Sequence, residues 1–203
     1  MSFLVSGGTG AGKTTLLAAL VAASDPDDRV LVVEDVRELR VAHPHVVHLE
    51  GRLANVEGVG EVTMVALVRQ SLRMRPDRIV VGEVRGAEVR ELLAALNTGH
   101  DGGCGTLHAN AAEHVTARLE ALGALAGMSL PAVHAQVRSG VQAVLHVRRR
   151  SDGVRVLDSV GVVMARGDRP ADPPQIRPAL SLRSPPDGFA TREWARLVGA
   201  EPS

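Results

Sequence analysis

Tyrosine is absent from the 203-residue chain, and two phenylalanines and one tryptophan are its only aromatic residues. That is too few for a base-stacking platform along a nucleic-acid strand. An excess of one charge is missing as well. The 23 basic and 23 acidic residues balance and are interspersed, so no basic field draws the chain onto nucleic acid. A single cysteine, Cys104, excludes an internal disulfide and a cysteine-rich zinc site, and suits a reducing compartment. It has no activating neighbour in sequence and is expected to be a small buried residue. No apolar run reaches the length of a membrane span, and no charged-then-apolar leader opens the sequence. A soluble, cytoplasmic protein without membrane insertion is expected. With 45% hydrophobic residues, the chain can bury one ordinary core.

Lysine is the last scarcity, and it locates the chemistry. The only lysine, Lys13, lies in Ser6-Gly7-Gly8-Thr9-Gly10-Ala11-Gly12-Lys13-Thr14-Thr15. This stretch fits G-x-x-x-x-G-K-[ST], with Gly7, Gly12, Lys13 and Thr14 on the fixed positions. Phe3-Leu4-Val5 before it reads as a strand, and the Leu/Ala-rich run to Ala23 as a helix. In that context the loop cradles the phosphates of ATP with backbone N–H groups at a helix N-terminus. Gly7, Gly8, Thr9, Gly10, Ala11, Gly12, Lys13, Thr14 and Thr15 are the nucleotide-binding candidates. Lys13 reaches the phosphates, a task for a compact ammonium rather than a planar guanidinium. The Thr14 hydroxyl is placed to hold Mg²⁺.

Further on, Val30-Leu31-Val32-Val33 predicts a buried parallel strand that delivers Glu34 and Asp35 to its C-terminal end, where open α/β sheets keep their ligand chemistry. His43 to Leu49 predicts another strand, Gly51 to Gly60 a loop, and Val62 to Met74 a helix halted by Pro76. Arg78 to Gly82 predicts a strand ending in Glu83. Helices are expected over Ala87 to Leu96, Ala111 to Ala126 and Pro131 to Arg138, with a strand end at Gly105 to His108 between them. Val144 to Val147 and Val154 to Val163 read as an antiparallel hairpin around Ser151-Asp152-Gly153. From Gly167 onward prolines crowd the sequence, which predicts a largely disordered tail with a short helix near Trp194. The expected division is a domain over 1–166 and a tail over 167–203.

Glu83 is the candidate for holding the attacking water, although Gly82 replaces the aspartate usual before it. Magnesium would then lean on Thr14, waters, and Glu34 or Asp35. His108 is a candidate γ-phosphate contact or, equally, a structural histidine. His43, His45 and His48 have few acidic neighbours in sequence, against a metal centre. Positive charge for the transition state has candidates in Arg52, Arg69, Arg73, Arg75 and Arg85. In ring ATPases such a group often comes from a neighbouring subunit. Arg148-Arg149-Arg150 reads as a hairpin cap rather than a polymer footprint.

The order of these motifs resembles the ATPase superfamily of type II and type IV secretion and type IV pili, most closely the CpaF/TadA-type ATPases of tight-adherence pili. Gly7 to Thr14 matches the phosphate loop, and Val32 to Leu39 looks like the family's Asp box. Gly60-Glu61-Val62-Thr63 follows, and Leu72 to Gly86 is similar to its atypical Walker B motif. Asn97 to Gly102 with Thr106 to Asn110 is similar to its His box. The resemblance runs from about Ser2 to Val163. It implies an α/β P-loop NTPase with a RecA-like, mostly parallel sheet flanked by helices. It also implies a hexameric ring of identical subunits at the cytoplasmic face of an inner-membrane pilus or secretion platform. ATP would bind between subunits, with Glu83 catalytic, Glu34 assisting at metal and water, and His108 on the γ-phosphate. The family's N-terminal domain, which covers the nucleotide and contributes arginines, would precede this stretch. A nucleotide-binding assembly or regulatory subunit without turnover is the alternative, and a DNA-handling conjugation ATPase a further one.

Overall fold

The computed structural model describes residues 1–97, 102–165, 172–183 and 186–200. The segment 98–101 of the expected His box and the expected domain boundary at 166/167 lie outside them. Among the described residues eight strands form one sheet. In chain order they are β1 (Phe3–Gly7), β2 (Val30–Glu34), β3 (Val46–Glu50), β4 (Arg78–Val81), β5 (Cys104–Leu107), β6 (Ala143–Arg149), β7 (Arg155–Met164) and β8 (Gln175–Ser181). Spatially the order is β3-β2-β4-β5-β1-β6-β7-β8. The first six run parallel. β7 and β8 add antiparallel pairs at one side.

Burial on both faces explains the unbroken apolar strands. All five residues of β2 are buried, as are the last four of β1. Alternation then sorts the side chains. Leu4 and Val33 join one core with α2 (Met64–Leu72), α3 (Val89–Leu96), α4 (Val115–Leu125) and α5 (Leu130–Gly140). Val5, Val30 and Val32 join the other, against α1 (Lys13–Ala22). Each fully buried Leu or Val contributes roughly 1.5–3 kcal/mol. Cys104 is fully buried, and desolvation pushes its thiol up to about 12.

Several boundaries differ from expectation for local reasons. Thr63 starts α2 by accepting the Ala66 N–H, because Val62 is taken into a bridge with Arg52. The helix expected from Ala111 opens instead as a 3-10 turn over Ala112–His114 before α4. β6 pairs not only with β7 but in parallel with β1.

The stretch expected to be a disordered tail carries β8 and α6 (Gly188–Leu197) among its described residues. β8 is an edge strand, where proline is tolerated. Pro178 sits opposite Gly161 at a register shift. Asp187 caps α6 through the N–H groups of Phe189 and Ala190, and Ala190 buries against Val162 and Ala179. Among the described residues no helix is long and apolar enough to cross a membrane.

Candidate functional site

Parallel strands bring their C-terminal ends to one edge, the position at which open sheets bind ligands. Here that edge collects the loop after β1, Glu34 ending β2, Gly82-Glu83 after β4 and His108 after β5. They meet in a cleft of about 360 Å³, lined by Thr9, Gly10, Lys13, Thr14, Glu34, Asp35, Val36, Glu38, Gly82, Glu83, Arg85, Thr106 and His108.

The phosphate loop is shaped by close approach. A Cβ on Gly7 would stand 2.3 Å from the Val147 carbonyl of β6, and Gly12 enters α1 at φ 99 without any side-chain cap. Among the described residues no side chain caps the first-turn N–H groups of α1, a helix start suited to an anion. Lys13, 8% exposed, donates to the carbonyls of Gly7 and Gly8, both at 3.1 Å. Its Nζ also lies 3.4 Å from His108 Nε2. Burial lowers its pKa, and the charge of Glu83 opposes that shift.

His108 Nε2 is 2.5 Å from Glu83 Oε1. On the other side of Glu83, Arg85 Nη1 stands 3.8 Å from Oε2. Arg85 is bound through Nε and Nη2 to Asp35 Oδ2, a hydrogen bond that raises the guanidinium pKa although burial works against it.

Glu34 explains the missing aspartate. It is 5% exposed, and its Oε1 accepts from the N–H groups of Glu38 (3.1 Å) and Leu39 (2.9 Å). Its chain crosses the face of Gly82, where a built Cβ would lie 2.6 Å from Glu34 Cγ. Glu34 thus occupies the space a side chain at position 82 would need. Thr106 steadies the same turn by donating to the Gly82 carbonyl at 2.6 Å.

The sequence candidates are therefore only partly gathered. Arg52, Arg69, Arg73 and Arg75 do not line the cleft. Arg69 pairs with Glu91, and Arg52 donates to the Gly60 carbonyl at 2.7 Å. The three histidines separate too. His43 Nε2 contacts the Asp25 carbonyl and His45 lies against Arg29. His48 Nδ1 stands 3.8 Å from Glu34 Oε2, its pKa lowered by burial and by Arg37, with Glu34 opposing. Among the described residues no three His, Cys, Asp or Glu side chains converge on a metal position. Thr14, Glu34 and Asp35 could still serve magnesium, which takes one or two carboxylates and completes its shell with phosphates and waters. Sequence reading placed Val36 and Glu38 in its Asp-box stretch and Thr106 in its His-box stretch without naming them as site candidates, and it missed Arg155 at the loop, whose Nε donates to Gly10 O at 3.1 Å. The last contact spans 145 residues, and no local pattern announces it.

An uncapped glycine loop between a buried strand and a helix, at the C-terminal edge of a mostly parallel sheet, defines a P-loop α/β protein. The chain belongs to the type II/IV secretion system protein family, whose model matches residues 1–160. It is 62% identical over 163 residues to "Putative conjugal transfer protein Rv3659c" of Mycobacterium tuberculosis, covering 80% of this chain and 46% of that protein. The VirB11 ATPase of the Brucella suis type IV secretion system superposes with a TM-score of 0.69 at 32% identity, over 79% of this chain and 48% of the other. The pilus retraction motor PilT with bound ADP gives 0.61 at 28% identity, over 78% and 46%. The chain spans about half the length of the curated relatives it matches.

Proposed function

We propose that this chain is the ATP-hydrolysing core of a motor that drives secretion, pilus assembly or conjugal transfer. The observation that carries this reading is the convergence of Lys13, His108 and Glu83 in the cleft beside Thr14. The N–H groups at the start of α1 bind the phosphates, and Lys13 exchanges the carbonyls of Gly7 and Gly8 for phosphate oxygens. Glu83 orients the attacking water and takes its proton. His108 holds the carboxylate until a γ-phosphate enters, then turns to that phosphate. Arg85 and Lys13 supply the positive charge that stabilises negative charge developing on the transferred group. The Thr14 hydroxyl and the carboxylates of Glu34 and Asp35 are the groups that would hold Mg²⁺, which would supply positive charge against that of the phosphates. Since Glu34 Oε1 is spent on two backbone N–H groups, its remaining oxygen is the one that would serve the metal.

The full machine would be a hexameric ring docked on inner-membrane platform proteins at the cytoplasmic face. Its assignment to tight-adherence pili follows the motif resemblance, whereas the 62% identical mycobacterial relative favours a conjugal-transfer system. Steady-state phosphate release with Mg²⁺ and ATP, lost in Glu83→Gln, is the test. Binding of ATP with no turnover by the wild-type chain would replace the motor with a nucleotide-sensing assembly subunit. Stimulation by DNA would point to conjugation.

A further inference from the structure

A second polar cavity lies on β6, β7 and β8, away from the catalytic cleft. Its volume is about 350 Å³, and Asn110, Glu113, His146, Asp158, Ser159 and Arg183 give it polar walls. None of these six lines the cleft that holds Glu83 and His108.

A bulge builds the cavity. His146 of β6 pairs with Ser159 of β7, and the next residue, Val147, pairs with Leu157, so Asp158 has no opposite number. Regular alternation would send Asp158 and Ser159 to opposite faces. The extra residue re-aims one of them, and both line the cavity. Asp158 is 4% exposed. Its Oδ1 accepts from Nε and Nη2 of Arg148, and Nε of Arg183 stands 2.8 Å from Oδ2. Two guanidiniums thus share one carboxylate, which leaves one positive charge unmatched. Among the described residues the Nη groups of Arg183 have no hydrogen-bond partner.

His146 adds a buried donor. Its Nδ1 meets the hydroxyl of Ser6, which is fully buried and has no other side-chain hydrogen bond among the described residues. The hydroxyl hydrogen therefore goes to Nδ1. Burial lowers the pKa of the ring, and a neutral ring that accepts at Nδ1 carries its proton on Nε2. That N–H has no protein partner among the described residues, and a buried donor left unmet is costly. The Ser159 hydroxyl has none among them either. Glu113 is exposed and unpaired among the described residues, and its charge opposes an anion carrying more than one.

We propose that this cavity binds a small carboxylate, held by His146 Nε2, the Ser159 hydroxyl and the free end of Arg183. A single negative charge matches the one left over at Asp158, and Glu113 turns away doubly charged phosphate. The inference goes beyond the nucleotide reading and does not depend on it, since none of these groups lines the nucleotide cleft.

The test labels the histidine rings of the full chain and follows their NMR signals while acetate replaces chloride at fixed pH and ionic strength. His146 is one of eight histidines, and its signal is the one missing from His146→Gln. The expected result is a saturable shift of that signal in wild type and equally in Lys13→Ala, whose phosphate loop is disarmed. Acetate should bind Arg183→Gln about tenfold more weakly, as for loss of one charge-assisted hydrogen bond. Should that variant fail to fold, seen as collapse of the other histidine signals, Ser159→Ala probes the same wall and should bind acetate several-fold more weakly. In the Lys13→Ala background inorganic phosphate should move the signal only when Glu113→Gln is added. A shift that never saturates with acetate overturns the proposal. So does unchanged acetate affinity in the folded arginine or serine variant. A shift that vanishes in Lys13→Ala would trace the effect to the phosphate loop and overturn it too. Phosphate binding as tightly as acetate with Glu113 in place would refute the carboxylate.

Discussion

The Glu83 carboxylate lies 2.5 Å from the His108 imidazole, and that same ring stands 3.4 Å from Lys13. The proposed phosphate-binding cation and the proposed base are therefore linked through one histidine. Glu83→Gln keeps the shape and removes the base. Turnover of ATP should fall by about 10²–10⁴-fold, the usual worth of a general base, with ATP affinity changed only a few-fold. Phosphate release and a binding titration on the same preparation check this. Turnover within threefold of wild type would dismiss Glu83 from catalysis.

The contact between Gly82 and Glu34 makes a second expectation. Gly82→Ala puts a methyl group 2.6 Å from Glu34 Cγ. Glu34 cannot swing away cheaply, because it is buried and tied to two N–H groups. Overpacking of this kind costs about 1–3 kcal/mol, visible as a lower denaturation midpoint. Gly82→Asp should destabilise for the same reason despite installing the carboxylate common in other P-loop enzymes. Combining Gly82→Asp with Glu34→Gly relieves the clash. The pair should couple by about 1 kcal/mol or more, and additive losses would show that the two positions do not compete for one space.

What the sequence made legible was what a strand or loop carries in adjacent letters. The phosphate loop, β2 with Glu34 at its end, and β4 leading to Glu83 were all readable as apolar runs closed by polar residues. Pairing between distant segments was not. β6 lies parallel to β1 across about 140 positions, and Arg155 reaches Gly10 only because of that arrangement. The tail misled because its prolines are compatible with two outcomes. On a central strand Pro178 would break the ladder, but at the sheet edge opposite Gly161 it costs little. The capping aspartate of α6 was present in the text, yet without β8 there was no surface for that helix to cover.

Asp187 provides a test of that C-terminal packing. Its carboxylate accepts from Phe189 and Ala190 and also pairs with Arg177 on β8. The hydrogen bond from Ala190 is the largest of the causes that hold its pKa below the ordinary carboxylate value; burial opposes it, and Arg177 and the Phe189 N–H add to it. Asp187→Ala should speed amide exchange across Phe189–Arg192 several-fold, leaving β1 and β4 protected as before. Uniformly unchanged exchange would mean that α6 is held by its apolar contacts alone.

His146 sets a pH dependence of stability. It is 3% exposed, and its Nδ1 lies 2.9 Å from the Ser6 hydroxyl, directly before the phosphate loop. Burial is the main cause lowering its pKa. Asp158 and Glu113 raise it, while Arg183 and Arg148 lower it. The folded chain thus refuses a proton that the unfolded chain accepts near the ordinary histidine value of 6.5. Between 6.5 and the lower folded value the unfolded state binds more protons, so stability falls as pH falls through that window and is unaffected above it. The slope from one such group cannot exceed about 1.4 kcal/mol per pH unit. Asp158 does not mask the effect. Burial pushes its carboxyl up, but hydrogen bonds from Arg148 and Arg183 hold it below 3.8, so its contribution is lost only at more acid pH. His48, shifted in the same direction, leaves a residual slope. Denaturant unfolding of wild type and His146→Gln at pH 7.5, 6 and 5 should show a flatter dependence for the variant, since glutamine can still meet Ser6 but does not titrate. Identical slopes would locate the acid sensitivity elsewhere.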